Sequence, residues 1–321
     1  MRDWLERNPD GEVVLTTRVP DWFWRGIGRM RLRPGSAAPL PVEGEGGTDR
    51  RATAESLRAF CADAQALVRR ERDFLAESGA GLVVSDIDPA PFAAAEGLGV
   101  PAYGVANFTW DWIYARMLPK MRREVEVLRR LYRSGTYLRL PLGPPEHPFR
   151  RSRDVGLLPG GVPRDTKAAR RLLGGGKTLL VALRDPGRLA GPLPALQDWQ
   201  VFTALPRPRF AGARNLPPAE LAAAGVGFAD LTAAADAVLC KPGYGMVSQI
   251  LTLGLRAVVL RRTDFPETPY LTAPLEDRPG VVLADAAEVR RRLPAILADL
   301  RDTTPAPPTK GDGGILTQMR Y

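Results

Sequence analysis

The chain has 321 residues, 45% of them hydrophobic and 25% charged, and 45 Lys and Arg outweigh 36 Asp and Glu to give a net charge of +9. That length is long for one layered core and suits two domains of roughly 100 to 200 residues each, and the composition excludes a disordered or collagen-like chain. No apolar run approaches the roughly 18 residues of a spanning helix, and the opening MRDWLERNPDGE has no signal-peptide core, so a cytoplasmic location is expected.

MRDWLER reads as the last turns of a helix, and Glu12 to Thr17 (EVVLTT) is the first strand candidate, preceded by the turn residues Asn8, Pro9, Asp10 and Gly11. Residues 33–50 are rich in Pro and Gly and read as an exposed loop. Leu57, Phe60, Cys61, Ala64, Leu67, Val68 and Leu75 recur at helical spacing, which predicts a helix over 53–77. A strand at 81–85, a helix at 91–96 and a strand at 102–106 follow as a compact parallel unit. A charged helix is predicted over 117–133, and the Pro/Gly-rich stretch 141–163 reads as a linker. In the second half, strands are predicted at 178–183, 201–204, 237–240, 257–260 and 281–284, with a closing helix over 290–300.

The alternation describes an α/β protein of two doubly wound, Rossmann-like domains facing across a cleft. The expected division is an amino-terminal domain over 1–145, a linker over 146–165, a carboxyl-terminal domain over 166–300 and a loose tail over 301–321. In such sheets ligands bind outside the carboxyl ends of the strands.

The most informative segment is AAADAVLCKPGYGMVSQILTLGLRAVVL (233–260). A strand ending at Cys240 runs into Lys241, Pro242, Gly243, Tyr244 and Gly245, and a helix begins near Met246 and stops at Gly254. Backbone amides at a helix start and the positive end of its dipole favour an anion by about 0.3 to 2 kcal/mol, so a phosphate fits the turn. An unoccupied tight turn fits the same residues. The run Gly174, Gly175, Gly176, Lys177, Thr178 resembles the end of a P-loop, but the spacing puts Arg171 where glycine is required and a strand, not a helix, follows.

Asp86 and Asp88 follow one first-half strand, and Asn107, Thr109, Trp110 and Asp111 follow the next. A carboxylate there, Asp86 or Asp111, is a candidate to deprotonate an acceptor hydroxyl, and Asn107 and Trp110 are candidates to contact the acceptor. A helix cap or Asx-turn explains Asp86 or Asp88 as well. Five of the six tryptophans (4, 22, 24, 110 and 112) fall in the first 112 residues, as an acceptor wall or as core. His147 is the sole histidine and lies in the expected linker, which disfavours a catalytic triad. Cys61 and Cys240 form no disulfide framework and no metal-binding cluster, so neither a metal nor a bound cofactor is expected.

Five lysines (120, 167, 177, 241 and 310) leave 40 of the 45 basic residues as arginine. Acids interrupt most arginine clusters and no RNA-binding signature is present, which disfavours nucleic acid as a partner. The stretches 121–133 and 149–153 read as a solvated helix face and linker, with peripheral membrane contact as the minority alternative.

SDIDPAPFAAAEGLGVPAYGVANFTWDWIYA (85–115) together with ADAVLCKPGYGMVSQILTLGLRAVVLRRTDFPETPYL (235–271) resembles the glycosyltransferase-like domain of plant arabinokinases and its bacterial stand-alone relatives, and more distantly the GT-B nucleotide-sugar glycosyltransferases. The resemblance runs from Glu12 to about Leu300. It implies the GT-B fold and a metal-independent transfer of sugar from a nucleotide-sugar donor such as a UDP-sugar to an acceptor the sequence does not name. It puts the donor diphosphate on Lys241, Gly243, Tyr244, Gly245 and Met246, the ribose hydroxyls on Gln249, and the donor sugar on Asp264 and Glu267. Gln249 stands where the family has glutamate, and Met246 where it has threonine. The family also begins with a strand, a Gly/His loop and a helix, so the first domain is expected to lack its first strand. A non-catalytic sugar-nucleotide-binding module and an epimerase are the alternatives on the same fold.

Overall fold

The structure is a computed structural model and describes Leu5 and residues 8–18, 28–35, 38–44, 47–183, 186–189 and 191–311. Trp4, Trp22 and Trp24 lie outside the described residues, as do most of the expected amino-terminal helix and the end of the expected tail.

Within the described residues the second domain is built on six parallel strands. In chain order these are β9 (Lys177–Ala182), β10 (Trp199–Thr203), β11 (Arg214–Asn215), β12 (Ala237–Cys240), β13 (Ala257–Leu260) and β14 (Val281–Ala284), arranged β11-β10-β9-β12-β13-β14. The topology reverses between β9 and β12, and there a doubly wound sheet opens its ligand crevice. Alternation in β12 explains why it is central. Val238 and Cys240 face one apolar cluster with Leu180 and Val259, and Ala237 and Leu239 face another with Leu179 and Val258. Every residue of β12 and β13 is buried.

The first domain carries a four-stranded parallel sheet of β5 (Val83–Ser85), β6 (Ala102–Ala106), β7 (Thr136–Arg139) and β8 (Arg151–Asp154). A separate parallel pair joins β1 (Val13–Thr17) to β2 (Met30–Pro34). β5 is an edge of its sheet, and its Val84 is 52% exposed. The long helix α1 (Arg50–Ser78) is capped by the Asp49 carboxylate at Ala52 N and ends on left-handed Gly79. Helices α2 (Ala90–Glu96), α3 (Trp110–Met117) and α4 (Arg122–Tyr132) complete the domain.

Several expectations about elements change. The helix predicted over 117–133 is α4 alone and starts only at Arg122, because α3 ends at Met117, Leu118 leaves the helical region and Pro119 follows. Residues 33–50, expected to be loop, hold the end of β2 and a two-residue hairpin of β3 (Glu43–Gly44) with β4 (Gly47–Thr48). Residues 141–163, expected to be linker, include β8, whose four residues are all exposed and therefore carry no apolar signal.

The first-domain core is aromatic. Phe92, Tyr132, Tyr137 and Phe149 meet with ring centroids 5.0 to 5.8 Å apart. Two glycines make room for them. A Cβ on Gly135 meets Phe92 at 2.5 Å and Phe149 at 2.8 Å, and one on Gly104 meets Phe149 at 3.0 Å. Gly135→Ala is expected to destabilise the protein by about 1 to 3 kcal/mol, Gly104→Ala by less, and Gly175→Ala, where a Cβ meets nothing within 4 Å, hardly at all. Denaturant titration of the three variants checks that order.

Candidate functional site

The turn after β12 leads into helix α8 (Tyr244–Leu253), with Gly243 as N-cap at φ −107 and Gly254 closing the helix at φ 64. The amides of the first helical turn have no carbonyl one turn earlier to bond to, and Tyr244, Gly245 and Met246 remain half-buried, not sealed by protein. Gly243 is not required by its backbone angles, and a Cβ there meets nothing within 4 Å. Gly245 is different. A Cβ on Gly160 would stand 3.2 Å from Gly245 Cα, so the two backbones nearly touch.

Gly160 belongs to the segment that leaves β8 for the second domain, and this strap lies across the start of α8. Leu158 N donates to Tyr244 Oη at 3.3 Å, and Gln249 Nε2 donates to Gly161 O at 3.4 Å. Asp230, buried in α7 (Phe228–Ala234), ties the strap's far end by accepting from Arg164 N and Asp165 N at 2.5 and 2.7 Å. Gln249 is itself buried, with Oε1 accepting from Thr232 Oγ1 at 3.3 Å. The structure therefore engages Gln249 inside the second domain and with the strap. Met246 packs against the second-domain core, and Lys241 is exposed.

The acidic loop after β13 meets the first domain. Asn107, just beyond β6, donates from Nδ2 to Glu267 Oε1 at 2.7 Å and to Leu142 O at 3.0 Å. Gly143 is required beside it, because a Cβ would fall 1.6 Å from Asn107 O. Burial raises the Glu267 carboxyl to about 7, against the lowering effects of the Asn107 hydrogen bond and the charges of Arg262 and Lys241. That influence places Lys241 near Glu267, and Glu267 in turn acts on Tyr244, so the turn after β12 and the acidic loop share one neighbourhood at the cleft.

Asp264 takes another role. It accepts from Arg262 Nε at 2.6 Å, and from Thr48 N and Thr48 Oγ1 at 2.9 and 3.2 Å. Arg262 and these Thr48 bonds hold its carboxyl well below the usual range. The hairpin of β3 and β4 thus sits on the carboxylate that the resemblance assigns to donor sugar. Phe108 against Phe265 and Trp112 against Tyr270, at 6.3 and 5.6 Å, add aromatic contacts across the same boundary.

Asp86 is exposed beyond the carboxyl end of β5 and has no hydrogen bond or ion pair among the described residues. Its neighbour Ile87 is at φ 61, a left-handed conformation that is costly for a β-branched residue. Burial and a 2.8 Å hydrogen bond from Tyr132 Oη to Ile87 O hold it there. Asp88 makes an Asx-turn, accepting from Ala90 N at 3.4 Å two residues on, with Pro89 as the N-cap of α2. Asp111 is buried in the first turn of α3, where Arg129 Nε donates to it at 3.2 Å. Trp110 is buried and stacks on Tyr114 at 5.9 Å, as part of the core. Sequence reasoning missed Ile87 and the strap; the PGGVP run at 159–163 was the available signal for the latter. Among the described residues no three His, Cys, Asp or Glu side chains come together as a metal site, and no helix is long and apolar enough to cross a membrane.

No family model matches the chain. The chain is 32% identical to L-arabinokinase of Arabidopsis thaliana over 224 residues, which is 65% of this chain and 21% of that protein, so it spans about a fifth of the relative's length. Among solved structures it is similar to the glycosyltransferase of kitacinnamycin, with a TM-score of 0.57 and 19% identity over 94% of this chain and 85% of that one. It is also similar to a Listeria monocytogenes protein assigned as a UDP-N-acetylglucosamine 2-epimerase, with a TM-score of 0.52 and 13% identity over 97% and 87% of the two chains. With two Rossmann-like sheets facing across a cleft and these likenesses to solved structures, the chain has the GT-B fold.

Proposed function

We propose that the protein is a GT-B glycosyltransferase that takes a sugar from a nucleotide-sugar donor, with the donor diphosphate on the turn from Gly243 to Met246 and received by the amides of Tyr244, Gly245 and Met246, the Gly243 amide being bonded to Lys241 O. The observation that carries this reading is the half-buried helix start at the topological switch point of the second sheet, with Lys241 beside it. In the proposed reaction an acceptor hydroxyl oxygen bonds to the anomeric carbon as the bond from that carbon to the diphosphate breaks. The hydroxyl proton passes to a carboxylate, and the departing charge is met by the amides and Lys241. Asp86, held at its strand end by strained Ile87, is one candidate for the proton. Glu267, whose carboxyl titrates near neutrality, is the other.

A second reading, a sugar-nucleotide-binding module without turnover, has specific support. Gln249 is committed to Thr232 and Gly161, and Asp264 to Thr48 and Arg262, so two residues assigned to the donor already have partners within the chain. Release of nucleoside diphosphate from a donor in the presence of an acceptor panel separates the two readings.

UDP or another nucleoside diphosphate is expected to raise the melting temperature, with a stabilisation of about 2.7 kcal/mol at one hundred times Kd. Gly243→Asp is the discriminating variant, because it adds a charge where a Cβ meets nothing within 4 Å and supplies a favoured N-cap residue. The unliganded variant should melt no lower than the wild type, and the nucleotide shift should vanish; a shift that survives the substitution overturns the assignment.

Glu267 generates a pH prediction. Its folded value of about 7 lies above the ordinary 4.5, so the native state holds the extra proton between those values. Its contribution is therefore complete below pH 4.5 and is lost as pH rises through 7, by at most about 3 kcal/mol. Glu267→Gln keeps an acceptor for Asn107 and removes the titration. The variant should gain stability relative to the wild type as pH rises from 5 to 8, as measured by denaturant melts across that range.

A further inference from the structure

Glu267 is the N-cap residue of the short helix Thr268–Thr272, yet its side chain makes no capping hydrogen bond. The carboxyl turns instead to the first domain, where Oε1 accepts from Asn107 Nδ2 at 2.7 Å. Oε2 makes no hydrogen bond or ion pair among the described residues, and it is not one of the polar atoms that are sealed from solvent and unpaired. One oxygen is therefore fixed from the opposite domain, and the other, on a side chain only 8% exposed, stays open to a partner from outside the chain.

The amide that fixes the carboxyl is itself locked. Asn107 is buried, and Nδ2 uses its two protons on Glu267 Oε1 and on Leu142 O, at 2.7 and 3.0 Å. Leu142 presents that carbonyl from a backbone at φ 65, a left-handed conformation that is costly for a residue with a side chain. Its side chain packs against the second-domain core. The absence of a side chain at Gly143 lets the loop pass against Asn107 O. Strain of this kind persists only where the surroundings over-determine it, and it gathers at functional sites. Here the strained loop fixes the orientation of one amide.

The charged and titratable groups that act on the Glu267 carboxyl, Lys241 and Arg262, and Tyr244, on which it acts in turn, belong to the second domain, and none of them bonds it. The ring of Tyr244, the first residue of α8, also packs against the first-domain cluster of Leu138, Leu140 and Val155. The helix start and the acid are thus both registered to the first domain, one by an aromatic ring and the other by an amide.

We propose that Asn107 is a positioning residue: from the first domain it orients the Glu267 carboxyl so that Oε2 meets a hydroxyl group of the donor sugar whose diphosphate lies at the start of α8. The inference rests on the donor assignment and adds that the sugar part of that site is complete only when both domains contribute to it.

The test measures calorimetric binding of UDP, dTDP, GDP and ADP, and of the glucose and galactose conjugates of each, to the full chain. For the conjugate that binds the wild type most tightly, its affinity relative to the parent diphosphate should fall about tenfold in Asn107→Ala, with the affinity for the diphosphate itself unchanged. Asn107→Asp keeps the shape of the side chain and puts an oxygen in place of the donating nitrogen, so it should lower the ratio as well. A 13C titration of the Glu267 carboxyl, identified by its loss in Glu267→Gln, reads the positioning directly. Its midpoint of about 7 should rise in both variants, because the Asn107 hydrogen bond lowers it, whereas a role for Asn107 in packing alone leaves it in place. A ratio that neither variant changes, or a midpoint that neither moves, overturns the inference and leaves the donor assignment standing. If none of these compounds binds the wild type, the donor assignment falls and the inference with it.

Discussion

A strand packed on both faces has nowhere to hold a polar side chain until it ends. β12 illustrates the constraint: Ala237, Val238, Leu239 and Cys240 are all buried, alternating between two apolar clusters, and the first exposed residue is Lys241. The chemistry of the second domain is therefore confined to the rim where the strands stop. The sheet fixes the position of that rim, and the turn at 241–243 delivers the free amides of α8 to it. β13 obeys the same rule, releasing Arg261 and Arg262 at the same end.

The two domains meet through that rim. Asn107 and Glu267 form one polar bond across the boundary, Thr48 and Asp264 form another, and the aromatic pairs Phe108–Phe265 and Trp112–Tyr270 flank them. The first is the more consequential. A carboxyl that titrates near neutrality and bonds an amide from the opposite domain makes the contact depend on the solution pH, whereas the Asp264 contact, with its carboxyl far below neutrality, does not.

Much of the fold was legible in the residues, because short apolar runs bounded by charged residues, asparagine, glycine or proline mark buried parallel strands. β6, β12, β13 and β14 lie where the pattern predicts them to the residue. What was not legible had weak or opposing local signals. β8 reads RSRD and is exposed throughout, so neither hydrophobicity nor alternation marks it, and its place is set by pairing with β7. The hairpin at 43–48 is too short for periodicity and lies among prolines and glycines. In the site, residue type identified Glu267, Asn107 and the turn, but not their neighbours. That Gln249 is committed to the strap, that Asp264 is committed to Thr48, and that Ile87 is strained are all consequences of contacts more than 40 residues apart in sequence, and no local pattern encodes them.

The strap has a mechanical consequence. Gly160 and Gly245 approach backbone to backbone with no side chain between them to cushion a displacement. Any swing of one lobe against the other that pulls on residues 155–161 is transmitted directly to α8, where Leu158 is fastened to Tyr244 in the first turn and Gly161 to Gln249 in the second. Lobe rotation and the aperture over those amides are thus geared together, and the gear has only glycine teeth.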